Sequence, residues 1–208
     1  MSSSIKLRVD SLAGTAEALL RRSEGSAILE FAIVLPLLVV FIAGIYDFGG
    51  AFNQKQKIEQ AAQEGAIVAG AQPTSDLLPV PVAGSTANPD SLVPVVYAVF
   101  NSLNTNGVFT ASCSAPGTPS GPSGPPPTLT WQYQITGCSS LNPSDNLLIT
   151  INRGFVVATS TTGLDVVGTV VTVSYPYDWR FYSIIQQILP GANPTTSISE
   201  SATVHNQM

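Results

Sequence analysis

The hydrophobic positions of this chain are concentrated in one long run near the N-terminus. From Ala27 to Tyr46 the only charged residue is Glu30. About 20 predominantly apolar residues in a helix are enough to cross the hydrocarbon core of a bilayer. Pro36 lies within the run, and membrane helices tolerate such a residue because neighbouring groups can satisfy the freed carbonyl. The pattern therefore predicts a transmembrane helix over residues 26–48.

A second helical pattern follows directly, because no proline occurs between Ala51 and Ala71. We predict that the helix continues over residues 49–71, with Gly49 and Gly50 as a flexible joint. Its apolar face could pack against its own domain or against sister helices. Residues at helical spacing predict that buried face: Phe52, Ile58, Ala62, Ala66 and Ala69.

The rest of the chain mixes Pro-rich segments with short elements. Residues 72–90 indicate a connector, and a Pro- and Gly-rich insertion at 114–128 lies within a domain spanning 91–208. Leu92, Val96, Val99 and Leu103 share one face of a predicted amphipathic helix, although β-branched residues leave a strand open as the alternative. Period-two alternation predicts a strand within 129–136. Residues 146–160 and 165–179 are interpreted as two longer strands with a turn between them, and a helical pattern at 181–191 precedes a last candidate strand at 197–204.

These elements predict an α+β fold class. A long N-terminal helix, half in the membrane and half outside it, would pack on a small antiparallel sheet and bury its apolar stripe there. The aromatic cluster Tyr175, Tyr177, Trp179, Phe181 and Tyr182 could form a binding surface or seal a small core. We interpret it as core, because aromatic side chains bury large areas.

Charges before the apolar run predict its orientation. Lys6, Arg8, Arg21 and Arg22 precede it, and the positive-inside rule keeps such an end in the cytoplasm. The chain beyond Phe48 would then be exported. The two cysteines, Cys113 and Cys138, would lie in an oxidising compartment, which favours a disulfide over free thiols.

Composition excludes several functional classes. The net charge of -5 argues against sequence-independent binding of nucleic acid, which needs clustered Lys and Arg. No phosphate loop, nucleophile motif or metal-ligand spacing occurs, and the single histidine, His205, is close to the C-terminus. We therefore expect no catalytic residues, no metal site and no cofactor, and we do not expect an enzyme.

One short motif precedes the apolar run. It reads Gly25-Ser26-Ala27-Ile28-Leu29-Glu30-Phe31. An ordinary signal-peptidase site follows the apolar core, but the best A-x-A candidate, at 69–71, lies too far beyond it. The motif, in contrast, resembles the site at which prepilin peptidases cut type IV pilin-like proteins.

The longer strings GSAILEFAIVLPLLVVFIAGIYDFGGAF and QKIEQAAQEGAIVAGA resemble the TadE-like family of pseudopilins from tight adherence (Flp/Tad) pilus systems. This resemblance covers residues 24–71 and implies a pilin-like fold, with residues 1–25 as a cytoplasmic leader. It implies cleavage after Gly25, with Ser26 as the new N-terminus and Phe31 as part of the recognised motif. Glu30 would pair with the freed amine of a neighbouring subunit and set the register between helices during assembly.

The resemblance also implies partners and a location. The partners would be a prepilin peptidase, other pilins or pseudopilins, and the inner-membrane Tad assembly platform. The protein would be a single-pass protein of the bacterial inner membrane with a periplasmic domain, or part of a surface pilus that mediates adhesion. A different function stays open: a plain signal anchor, in which Glu30 only complements the helix dipole, could hold a periplasmic binding or adhesin module outside any pilus.

Overall fold

The computed structural model describes residues 23–77, 89–109, 113–121, 129–138, 146–159, 165–177, 179–181, 191 and 196–206. The chain divides into two compact units, Met1–Phe48 and Gly49–Met208. Most of the predicted leader, residues 1–22, lies outside the described residues. So do residues 122–128 of the predicted insertion, Tyr182, and nearly all of the helical pattern at 181–191.

A single α-helix, α1, runs over Ser23–Ala71. It passes through Pro36 without a break, and it also continues through Gly49 and Gly50, where the sequence suggested a joint. The predicted long N-terminal helix is confirmed. A second α-helix, α2, covers Val93–Thr105, so the predicted helix is confirmed and the alternative strand is not. The residues predicted for its apolar face are all buried: Leu92, Val96, Val99 and Leu103.

Four strands follow: β1 (Thr130–Ile135), β2 (Leu147–Thr159), β3 (Asp165–Tyr177) and β4 (Thr196–His205). They form one sheet in the order β1-β2-β3-β4, and each neighbouring pair is antiparallel. Strand β2 has two register shifts beyond Asn152, where it pairs only with β3. The α+β fold class is confirmed.

The second half of α1 packs on this sheet through small residues. Ile58, Ala62, Ala66 and Ala69 are buried as predicted, but Phe52 is 64% exposed, so its assignment to the buried face is wrong. The buried stripe is centred on Ile58 and Ala69, and Phe52 falls on its flank. Gly65 lies where a Cβ atom would collide with the Cγ2 of Val99 and approach the Cγ1 of Val171 to 3.3 Å.

Aromatic residues at the end of β3 complete the core. Tyr175 and Tyr177 are 1% and 4% exposed, and the ring of Tyr175 lies 6.1 Å from that of Phe109. Trp179 makes an edge-to-face contact with Tyr177, with ring centroids 5.1 Å apart. Tyr175 and Tyr177, two members of the predicted aromatic cluster, are therefore part of the core.

Candidate processing and assembly segment

The sequence motif occupies the first turns of α1. The helix begins at Ser23, so Gly25 lies in its first turn, and Ser26 and Glu30 are both exposed. Glu30 follows Ser26 by four positions, which places the two residues on one helix face about 6 Å apart along the axis. Phe31 follows and is 66% exposed. A positive charge at Ser26 could therefore reach the carboxylate of Glu30 within the same helix.

The helix beyond this motif has an uncovered apolar surface. Every residue from 26 to 42 is exposed, and α1 is long and apolar enough to cross a membrane. A helix that is apolar on all sides needs lipid or other helices around it. This helix could therefore anchor the chain in a membrane.

The two predicted cysteines form a bonded pair at the first edge of the sheet. A disulfide joins Cys113 to Cys138. The segment that begins at Cys113 runs beside β1, where the amide of Ser120 donates to the carbonyl of Gln132 and the amide of Gln132 donates back, both at 2.8 Å. The hydroxyl of Tyr175 donates to the Cys138 carbonyl at 2.7 Å. The disulfide therefore lies between the covered edge of β1 and the aromatic core.

Arg153 is a structural residue that the sequence reasoning did not identify. Its side chain is 1% exposed, although it belongs to β2. The guanidinium donates to the carbonyls of Ala69 at 2.6 Å, Gln72 at 2.9 Å and Pro73 at 3.2 Å. The last carbonyls of a helix lack intrahelical donors and carry its negative partial charge. Arg153 therefore caps the C-terminus of α1 and ties that helix end to the sheet.

The electrostatics of this cap follow from its burial. Desolvation lowers the pKa of Arg153, and the nearby Asp76 carboxylate opposes that shift by favouring the charged form. Asp76 also accepts a hydrogen bond from the amide of Ser91 at 2.7 Å, just before α2. Only four Lys or Arg residues follow Gly25 in the sequence, and one of them is placed in the core. The sequence signal for this buried cap is a cationic residue in the middle of a segment with strand-like alternation.

Few side chains in the described part of the chain are suited to binding a metal ion. No group of three or more His, Cys, Asp or Glu residues there is placed to hold a metal ion. His205 is an exposed residue at the end of β4.

Comparison with known proteins gives one match. Residues 25–66 match the family model described as TadE-like protein. No curated protein and no solved structure matches the chain. The matched range starts at Gly25, includes Glu30 and Phe31, and ends within the packed half of α1. The resemblance noted in the sequence is confirmed over this range: residues 25–66 are similar to the TadE-like family, which is consistent with a TadE-like pilin of the Tad system.

Proposed function

We propose that this chain is a minor pseudopilin of a Tad pilus, cleaved by a prepilin peptidase after Gly25 and used in pilus assembly and surface adhesion. The observation that supports it best is the family match from residue 25. The matched range contains both the Gly25 to Phe31 motif and an apolar helix segment whose residues 26–42 are all exposed. The family match itself associates the chain with the Tad pilus in general. Cleavage, assembly and adhesion are the specific content of the proposal.

The position of Gly25 suits cleavage. A peptidase needs access to the backbone at Gly25–Ser26, which here lies in the first turns of α1. The first N–H groups of a helix have no intrahelical acceptors, and glycine favours a helix less than alanine by about 1 kcal/mol. The start of α1 is therefore the part of the helix that unwinds at lowest cost.

Cleavage would also supply a partner for Glu30. The new α-amino group at Ser26 has an ordinary pKa of about 7.7 to 8.0, so it is largely charged at neutral pH. A carboxylate inside a membrane costs about 2.5 to 3.5 kcal/mol at the helix centre, and such groups usually pair with an opposite charge. Glu30 would bind the amine of a neighbouring subunit, so that the helices associate in one axial register.

Partners and location follow from the same proposal. The chain would be anchored in the bacterial inner membrane, with its N-terminus in the cytoplasm and the sheet domain in the periplasm. It would contact other pilins or pseudopilins and the Tad assembly platform, and it would act as a substrate of the peptidase rather than as an enzyme.

Substitution of Glu30 tests the proposal. Glu30→Gln keeps the size of the side chain and removes its charge. In cells that contain the peptidase, we expect this variant to be processed normally while surface fibres, counted by electron microscopy, fall strongly. A Gln60→Glu variant, altered on the exposed surface of α1, serves as a control for changes of charge and expression. Normal fibre numbers with Glu30→Gln would contradict the assembly role and favour a plain anchor for a binding or adhesin module.

A further inference from the structure

The end of β3 and the residues after it lie against α1 at Gly50. A Cβ atom added at Gly50 would be 2.8 Å from the hydroxyl oxygen of Tyr177 and 3.6 Å from Nε of Arg180. All three residues belong to the compact unit that begins at Gly49. The guanidinium of Arg180 is therefore beside the helix backbone two positions after Phe48, where the predicted membrane span ends.

The level of Gly50 in a bilayer follows from the length of the span. The predicted span covers residues 26–48, so its centre is Leu37, and Gly50 is 13 positions further along. At a rise of 1.5 Å per residue this is about 20 Å along the helix. The hydrocarbon core of a bilayer ends about 15 Å from its midplane, and the headgroup layer ends about 20 to 22 Å from it. Gly50 therefore lies among the lipid headgroups when α1 crosses the membrane.

This level does not depend on how the two compact units are arranged. Gly50 follows Phe48 by two residues in the same chain, and two residues span at most about 7 Å. Any group in contact with Gly50 is consequently close to the point where the chain leaves the hydrocarbon core. The position of Arg180 relative to the headgroups thus rests on chain connectivity and on its contact with Gly50.

The aromatic residues beside Arg180 are of the types that membrane interfaces favour. Trp and Tyr are enriched there, because each has an apolar ring and a polar group that can form hydrogen bonds. The half-buried Trp179 makes an edge-to-face contact with Tyr177 at 5.1 Å, and its Nε1 donates to Oγ1 of Thr196 at 3.3 Å. These contacts hold the indole ring next to the exposed side chain of Arg180 in the chain.

Arg180 is also the cation nearest to this level of the helix. Four Lys or Arg residues follow the predicted leader in the sequence. Lys55 and Lys57 lie about 8 Å and about 11 Å beyond Gly50 along α1, and Arg153 caps the far end of that helix. A guanidinium presents a planar fork of donors that matches the oxygens of a phosphate group. Its charge and its geometry therefore both suit a lipid headgroup.

We propose that Arg180 and Trp179 bind the headgroup of an anionic phospholipid in the bilayer that holds α1. The guanidinium would donate to the phosphate oxygens, and the indole ring would lie among the headgroups. The sheet unit would then have a second attachment to the membrane besides α1, and this attachment would have to be released when the chain leaves the bilayer for a fibre. The inference rests on the membrane anchoring in the proposed function, but not on cleavage or assembly.

An ion pair within the chain is the alternative role for Arg180. Asp47 precedes Gly50 by three positions and is the nearest acidic residue to it in the sequence. A carboxylate and a lipid phosphate would both favour arginine at this level of the helix. The two roles differ in their consequence, because only the lipid role makes the local lipid composition depend on Arg180.

Quenching by brominated lipids measures which lipid lies beside Trp179. The full chain is reconstituted in phosphatidylcholine vesicles that contain either phosphatidylglycerol or phosphatidylcholine brominated near the headgroup end of its acyl chains. Trp131 is fully buried in β1, so the difference between the wild type and Trp179→Phe isolates the signal of Trp179. We expect Trp179 to be quenched, with a local preference for phosphatidylglycerol of about fivefold.

Variants of Arg180 make the test specific. Arg180→Gln should abolish the preference for phosphatidylglycerol, whereas Arg180→Lys should keep part of it, because the charge remains without the planar fork. Lys57→Gln removes the same charge further from the membrane and should leave the preference unchanged. Asp47→Asn should leave the preference unchanged or strengthen it. An equal preference in the wild type and Arg180→Gln, or a Trp179 that neither lipid quenches, would overturn the proposal.

Flotation of the vesicles separates this inference from the proposed function. A chain that floats with the vesicles, but shows no quenching of Trp179, contradicts the headgroup site and leaves membrane anchoring intact. A chain that does not float with them contradicts the anchoring itself, and the headgroup site with it. We expect the wild type and Arg180→Gln to float equally, because α1 alone is long and apolar enough to span the bilayer.

Discussion

Replacement of Arg153 by methionine should destabilise the sheet unit. The side chain donates to three carbonyls at the end of α1, and methionine would fill much of the same volume without a donor. The Ala69 carbonyl keeps one partner, because the amide of Gln72 also donates to it at 3.2 Å. The carbonyls of Gln72 and Pro73 lose the donor. Gln72 is half-buried and Pro73 is exposed, so water can reach both carbonyls, and each loss lies toward the lower end of the about 1 to 3 kcal/mol that a buried acceptor without a partner costs.

Two further contributions to the free energy of unfolding have opposite signs. Removing the cation from the helix C-terminus costs up to about 2 kcal/mol in partly buried geometry. Methionine also removes the cost of desolvating a charge, and replacing buried ions by apolar residues can be neutral or stabilising by about 1 to 4 kcal/mol. We expect the lost hydrogen bonds and the helix dipole to exceed this gain, so the free energy of unfolding should fall by about 1 to 2 kcal/mol.

Guanidinium chloride unfolding of the full chain in detergent measures this difference. The fluorescence of Trp131, which is fully buried in β1, reports on the core. Lys57→Met removes one positive charge from the surface of α1 and should change the free energy by no more than about 0.5 kcal/mol. Arg153→Lys should be intermediate, because a single ammonium cannot reproduce the planar fork. If Arg153→Met and Lys57→Met unfold at the same midpoint with the same slope, the capping role of Arg153 is refuted.

Three further changes have defined outcomes. Replacing Cys113 and Cys138 together by serine should lower the free energy of unfolding by about 3 kcal/mol, measured by denaturant titration, and the loss should match that of the wild type under reducing conditions. Gly65→Ala should cost about 1 to 3 kcal/mol by overpacking, whereas Gly49→Ala, whose new methyl group meets no atom within 4 Å, should not destabilise; equal effects would contradict the close packing. Burial raises the pKa of Tyr133 above its ordinary value of 10.0, so the folded state retains this proton longer than the unfolded state. Above pH 10, stability should therefore fall by up to about 1.4 kcal/mol per pH unit, and Tyr133→Phe should flatten this slope in pH-dependent unfolding.

Local patterns predicted most of the architecture. The apolar run and the proline-free segment after it predict α1, and period-two alternation predicts β1, because each pattern follows from which side of a nearby element is buried. The other three strands were also predicted, from runs of strand-forming residues. Phe52 shows the limit of such reasoning. Its spacing from Ile58 is compatible with a buried face, but the centre of that face depends on where the sheet lies, and this leaves Phe52 on the flank.

Features that depend on distant contacts could not be read from the sequence. Arg153 reaches a carbonyl 84 positions earlier in the chain, and its place in an alternating strand does not say which group it contacts. The position of β4 at one end of the sheet depends on strand order, which the hydrophobic pattern does not determine. The candidate processing site is the opposite case, because Gly25, Ser26, Glu30 and Phe31 form one contiguous motif that can be recognised without any tertiary structure.

The N-terminus of the mature protein decides whether the chain is cleaved after Gly25. The chain should be purified from the membranes or surface fibres of its native host, and its intact mass and N-terminal sequence should be determined. We predict a protein that begins at Ser26 and has the mass calculated for residues 26–208. A mature protein that still contains Arg21 and Arg22 would contradict it.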